Sequence, residues 1–179
     1  MLILASQSPR RKEILESRLG KDSFLIIPAD INEDIDIPKD RLPMELSYLK
    51  AKAIFDEHKD ATVLGSDTIV AIDNKILGKP KDEEDAFKML KELSGRSHEV
   101  ISGFTILSKD RCIKGTVTTL VHFNELSDEL IREYIKTGSP MDKAGSYGIQ
   151  DTKFNLVKCI EGDYDNVVGL PISTIMLFL

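Results

Sequence analysis

Short apolar runs alternate along this chain with segments of helical period, and the breaks between them come too often for a long coiled coil or an all-helical bundle. Residues 2–5 read as a buried strand, and the Ser8-Pro9 pair that follows marks a helix start, with Ser8 capping and Pro9 in the first helical position. The spacing predicts a helix over 9–18, with Ile14 and Leu15 inward and Gly20 as the stop. A second strand is expected at 24–28, an acidic loop at 30–40, and a helix over 43–58 with Leu46, Leu49, Ala53 and Ile54 on one face. Residues 62–72 make an apolar strand, Asp73-Asn74 a two-residue hairpin turn, and 75–77 the returning strand. A capped helix over 82–93 buries Ala86, Met89, Leu90 and Leu93 and stops at Gly95. Then come a long hairpin of 98–107 and 112–124 and a helix from Ser127 to Gly138. Strand candidates at 155–160 and 166–168 precede a short terminal helix opened by Pro171. The expected fold class is α/β, a mixed sheet flanked by helices.

A chain of 179 residues fits one domain, or two small lobes sharing a core; with no repeat, linker or charge block to divide it, a single domain over 1–179 is expected. Lys and Arg number 24 against 30 Asp and Glu, and this balance of -6 argues against a general nucleic-acid surface, so a polyanion site would have to be a local basic pocket. Cys112 and Cys159 sit in alternating apolar surroundings without metal-ligand spacing and read as buried, reduced thiols. No export leader is recognisable, and the late apolar segment 170–179 is far short of the roughly 20 residues a bilayer requires. A cytoplasmic protein with no membrane partner is the expectation.

Several residues stand where packing alone would not put them. Arg10 and Arg11 fall at the start of the first helix, where the dipole disfavours cations, so they either share an anion or pair with acids of the 30–36 stretch. Asp67, within Gly65-Ser66-Asp67-Thr68, interrupts an apolar strand. A carboxylate there needs a cation, a metal or several donors, the conditions that also suit a general base; a loop-capping Asp is the alternative. Gly78-Lys79-Pro80-Lys81 sets two cations in a rigid loop without the pattern of a Walker loop, and reads as a phosphate contact or a solvated turn. Arg96 in Ser94-Gly95-Arg96-Ser97-His98 is either a helix-end cation or a further anion contact. Residues 140–150 have neither period; Lys143 there could meet a phosphate, and Gln150 has the donor and acceptor needed to read a pyrimidine edge. His58, His98 and His122 lack the spacing of a histidine-bound metal site, and no serine elbow or Cys–His signal appears.

Taken in order, Leu4-Ala5-Ser6-Gln7-Ser8-Pro9-Arg10-Arg11, Gly65-Ser66-Asp67-Thr68, Gly78-Lys79-Pro80, Ser94-Gly95-Arg96-Ser97-His98, Asp142-Lys143-Ala144-Gly145-Ser146-Tyr147-Gly148-Ile149-Gln150 and Val167-Val168-Gly169-Leu170-Pro171 resemble the Maf family over essentially the whole chain. The resemblance implies a Maf/ITPase-like fold of two lobes around a central cleft, and a nucleoside triphosphate pyrophosphatase that cleaves between the α and β phosphates with a divalent cation, Mg²⁺ or Mn²⁺. The form of the 142–150 motif is similar to the dTTP/UTP branch, with modified pyrimidine nucleotides as further substrates. Carried over by motif, Asp67 is the proton acceptor, Arg10, Thr68 and Gln150 bear on substrate choice, Lys79 and Lys143 contact phosphate, and Glu33 and Lys52 are further site residues; read for their chemistry, Arg10, Arg11, Lys52, Lys79 and Lys143 are the cations to neutralise a triphosphate and Glu33 or Asp67 the carboxylates for the metal. Ser66 stands where Ala is common and Asp151 where Gly is common. The partners implied are the nucleotide and, as is common in the family, a second copy of the chain. A nucleotide-sensing regulator of cell division and a pyrophosphatase of noncanonical purine nucleotides are the alternative functions.

Overall fold

The computed structural model describes residues 1–179. Its strands are β1 (Leu2–Leu4), β2 (Leu25–Ile26), β3 (Thr62–Ile72), β4 (Lys75–Leu77), β5 (Ser97–Leu107), β6 (Cys112–Phe123) and β7 (Val157–Glu161). The helices are α1 (Pro9–Leu19), α2 (Leu42–Glu57), α3 (Glu83–Leu93), α4 (Asp128–Lys136), α5 (Tyr164–Val168) and α6 (Ile172–Ile175). The strands form one mixed sheet in the order β2-β1-β3-β5-β6-β7, with β4 paired to β3 off that path. β1 pairs in parallel with β2 and β3, whereas β3–β4 and β6–β7 are antiparallel. The chain gathers into two compact units, Met1–Thr68 with Ser102–Val117 and Asp165–Leu179, and Ile69–Ile101 with Thr118–Tyr164.

In the first unit β1 and β3 are buried on both faces, which is why they read as near-continuous apolar runs. Side chains of a strand alternate between faces. Leu4, Leu64, Phe104 and Ile106 pack with Leu15 of α1 and with Leu170, Ile172 and Ile175; Ile3, Ala5, Val63 and Leu107 pack with Ala51 and Ile54 of α2. The buried face of α2 comprises Pro43, Leu46, Ser47, Ala51 and Ile54. It is rotated from the expected Leu46–Leu49–Ala53–Ile54 face because small residues must meet the sheet: a Cβ on Gly65 would lie 2.1 Å from the Ser47 carbonyl oxygen and 3.0 Å from Ala51, and one on Gly103 2.2 Å from Pro43. The two glycines let the helix backbone approach β3 and β5 directly.

In the second unit, Asp73 and Asn74 both adopt positive φ in the β3–β4 turn, as a two-residue hairpin requires. Asp82 and Ser127 cap α3 and α4 by accepting from the N–H of Asp85 and Leu130. Residues 139–154 carry three short 3-10 turns.

Two further expectations are corrected. Residues 166–168, expected as a strand, close α5: the N–H of Gly169 bonds to Asp165 and Asn166 and that of Leu170 to Asp165, with Gly169 at φ +127°, a region open to glycine. A two-valine run carries too little pattern to tell helix from strand. Cys112 and Cys159 are free thiols as expected, but exposed rather than buried, at outward positions of β6 and of β7 at the end of the sheet order.

Candidate active site

The strand β3 presents functional groups to both of its faces. Gly65 and Asp67 point with Val63 toward α2, while Ser66 and Thr68 point with Leu64 toward α1, as the two-residue period requires. Asp67 is 8% exposed, so its carboxylate needs a partner, and it has one: Lys50 of α2 places its ammonium 2.7 Å from an Asp67 oxygen. The same ammonium lies 2.8 Å from Glu33, whose side chain is 59% exposed in the acidic loop. Asp67 is therefore a mid-strand carboxylate joined to a lysine, not a loop cap.

Lys50 carries this arrangement, whereas Lys52 does not share in it. Lys52 reaches Asp56 one turn along the helix at 2.6 Å, on the exposed surface, and that hydrogen bond raises the lysine pKa and lowers that of the aspartate. Sequence spacing contained the signal: Lys50 is four residues from both Leu46 and Ile54, so it shares their buried face, and Lys52 is turned away from it.

On the opposite face of β3, Arg11 is held by three neutral groups rather than by an acid of the 30–36 stretch. Its Nε donates to the Gly169 carbonyl at 2.8 Å, Nη1 to the Ser6 hydroxyl at 3.2 Å, and Nη2 to the Thr68 hydroxyl at 3.1 Å. These acceptors are neutral. Burial pulls the guanidinium below its usual pKa, the charge of Asp67 pulls it back up, Arg10 adds to the lowering and Glu33 opposes it. The four charges thus act within one region, and a cation held by neutral oxygens is ready for an anion. Arg10 precedes Arg11 in the first turn of α1 and is half-buried. Thr68 also contacts the Ser102 hydroxyl at 2.8 Å and the Gly169 carbonyl at 3.2 Å. Ser102, fully buried on β5, was not singled out by sequence reasoning, because a lone serine inside an apolar strand gives no pattern.

Lys79, Lys143 and Gln150 belong to the second unit. Lys79 is exposed in the turn after β4, and that turn is tied to the long loop by the Gly145 N–H, which donates to the Gly78 carbonyl at 3.1 Å. Lys143 is held within its loop by the Ser139 carbonyl at 2.6 Å, the Ser139 hydroxyl at 3.1 Å and Asp142 at 2.8 Å. Gln150 is exposed. Asp151 anchors the loop: one of its oxygens accepts from the hydroxyls of Tyr134 at 2.6 Å and Ser139 at 2.7 Å, and Tyr134 in turn accepts from the Gly148 N–H at 2.9 Å. Tyr147 is buried with its hydroxyl 2.7 Å from His98. Arg96 pairs with Asp73.

No set of three or more His, Cys, Asp or Glu side chains is grouped to hold a metal. Two carboxylates, Glu33 and Asp67, do converge on the single Lys50 ammonium. Mg²⁺ is commonly held by one or two carboxylates, with phosphate oxygens and water completing the shell. The hard oxygen donors present therefore fit such an ion when a triphosphate brings the rest. No helix is long and apolar enough to cross a membrane.

The chain is 49% identical over 175 residues to the dTTP/UTP pyrophosphatase of Thermococcus gammatolerans, covering 98% of this chain and 93% of the relative. It is 53% identical over 175 residues to the dTTP/UTP pyrophosphatase of Thermosipho africanus, covering 97% and 89%. Among solved structures, a HAM1 protein from Coxiella burnetii superposes over 99% of this chain and 98% of that one with a TM-score of 0.56 at 14% identity, a likeness of fold. A family model described as Maf-like protein matches residues 1–179, and the chain belongs to the Maf family.

Proposed function

We infer that this chain is a nucleoside triphosphate pyrophosphatase that hydrolyses dTTP and UTP to the monophosphate and pyrophosphate. Relatives near 50% identity over almost the full chain carry that name. The observation that carries the reading to individual residues is the buried Asp67 carboxylate held by Lys50, with the Arg11 cation bonded only to neutral oxygens on the other face of the same strand.

Phosphoryl transfer asks a protein mainly for placement and charge stabilisation. Arg11, with Arg10 beside it, neutralises phosphate oxygens through planar donors. Asp67 accepts the proton of the water that attacks the α phosphorus, and Lys50, 2.7 Å away, holds that carboxylate in place. Mg²⁺ or Mn²⁺, bound with the triphosphate to Glu33 and Asp67, would supply charge neutralisation and orientation of the phosphates. Lys79 and Lys143 are further phosphate contacts in this reading, and Gln150 reads the pyrimidine. Lys143 has to exchange its exposed Asp142 partner for phosphate. Lys50 takes the role expected of Lys52. The reading places the enzyme in the cytoplasm.

Incubation with UTP and Mg²⁺ should release UMP and pyrophosphate in equal amounts, and Asp67→Asn should lower the rate by on the order of 10²–10⁴-fold, the scale of general base catalysis. Release of UDP and orthophosphate would reject the reading. Turnover of ITP above that of dTTP would reject the pyrimidine preference.

A further inference from the structure

We propose that Ser102 is a positioning residue for the nucleotide site, acting through Thr68 to fix how Arg11 presents its charge; the proposal rests on the pyrophosphatase reading above. Ser102 makes two contacts from a fully buried position, with the Thr68 hydroxyl at 2.8 Å and with the Asn166 carbonyl at 3.2 Å. Each hydroxyl has one proton, so the direction of the chain can be worked out.

A guanidinium only donates, so Thr68 must turn a lone pair toward Arg11 Nη2. The Thr68 proton then goes either to Ser102 or to the Gly169 carbonyl at 3.2 Å. Gly169 already accepts from Arg11 Nε at 2.8 Å and from Ser66 at 3.4 Å, and a carbonyl oxygen has two lone pairs. Ser102 donates its proton to the Asn166 carbonyl, which also accepts from the Gly169 N–H and so has both lone pairs used. With the Ser102 proton given to Asn166 and the Gly169 carbonyl already served by two other donors, the chain runs from Arg11 to Thr68, from Thr68 to Ser102, and from Ser102 to Asn166. Hydrogen bonds aligned in this way polarise one another.

Ser102 thereby keeps the Thr68 proton away from the Gly169 carbonyl, leaving that carbonyl to Arg11 Nε. Without the Ser102 hydroxyl, the Thr68 proton turns to Gly169 and competes with Arg11 for it. Two of the three bonds that aim the guanidinium are then loosened together. Ser102 touches neither substrate nor reacting atoms; its effect on them passes through Thr68.

The test is a double-mutant cycle of Ser102→Ala and Thr68→Val, read as kcat and KM for UTP with Mg²⁺ and as Kd for the unhydrolysable α,β-imido analogue of UTP, with melting temperature measured on each variant. Ser102→Ala should raise KM and Kd about tenfold, the scale of one hydrogen bond to a charged group, and change kcat less. Added to Thr68→Val, it should cost less than twofold, because the residue it acts through is already gone. Ser102→Cys, which keeps a weak donor and acceptor, should fall between serine and alanine. Losses that multiply independently, or an unchanged KM and Kd in Ser102→Ala, overturn the proposal. Wild-type protein that makes no UMP and pyrophosphate overturns the pyrophosphatase reading instead, while the Kd cycle still judges the coupling.

Discussion

The Lys50 ammonium lies 2.7 Å from the Asp67 carboxylate, joining the buried face of α2 to the middle of β3. Both side chains are about one-eighth exposed, so neither is well solvated and each depends on the other. Removing one partner of such a pair leaves an uncompensated charge. Lys50→Gln should therefore reduce kcat/KM by about 10²-fold or more, as loss of a preorganised charge at a reacting centre does. Lys52→Gln, which removes only the exposed contact with Asp56, should leave turnover within about twofold, since surface pairs contribute little. Steady-state kinetics on the two variants checks this, and equal losses would move the site lysine back to position 52.

Glu33 shares the Lys50 ammonium but stands 59% exposed. If it is a metal carboxylate, Glu33→Gln should raise the Mg²⁺ concentration for half-maximal activity by about tenfold, the scale of one charged contact. Saturating Mg²⁺ should restore most of the rate, and chelation should abolish activity in wild type and variant alike. An unchanged Mg²⁺ dependence would remove Glu33 from the metal site.

The elements were legible where local chemistry alone decides them. The strand over Thr62–Ile72, the Asp73-Asn74 turn, and the caps Ser8, Asp82 and Ser127 all lie where residue type and spacing placed them. What escaped depends on partners distant in sequence. The inward face of α2 is set by the absence of side chains at Gly65 and Gly103, invisible from the helix itself. Cys112 and Cys159 alternate with apolar residues yet face outward, because only the sheet order shows what covers them. Ser102 acquires meaning only beside Thr68 and Asn166.

The close approach at Gly65 couples stability to the site. An alanine there would put its Cβ 2.1 Å from the Ser47 carbonyl oxygen, forcing α2 away from β3. Overpacking of this kind costs about 1–3 kcal/mol or more. For a chain of this size that is a drop of roughly 2–12 °C in Tm. Because Lys50 rides on the displaced helix, activity at a temperature well below the Tm should fall too. Calorimetry with kinetics checks both, and a variant with unchanged Tm would show that the helix can yield at no cost.

His98 makes stability depend on pH. It is 2% exposed, packs edge-on against Phe123 and Tyr147, bonds the Tyr147 hydroxyl through Nε2, and its Nδ1 has no partner. Burial pushes its pKa down to about 4, with a smaller push from His122, so the folded protein keeps the ring neutral. Unfolded, the same ring titrates near 6.5. Between these values the unfolded chain binds the extra proton, so acid favours unfolding: the contribution of the neutral ring is present above about pH 6.5 and lost as pH falls toward 4. The separation corresponds to about 3 kcal/mol over that window. Denaturant unfolding of wild type and His98→Gln at pH 7.5, 6 and 4.5 isolates the term, because the carboxylates are common to both proteins. The variant should start less stable and lose less on acidification, and parallel curves for the two proteins would show that the ring is not held neutral.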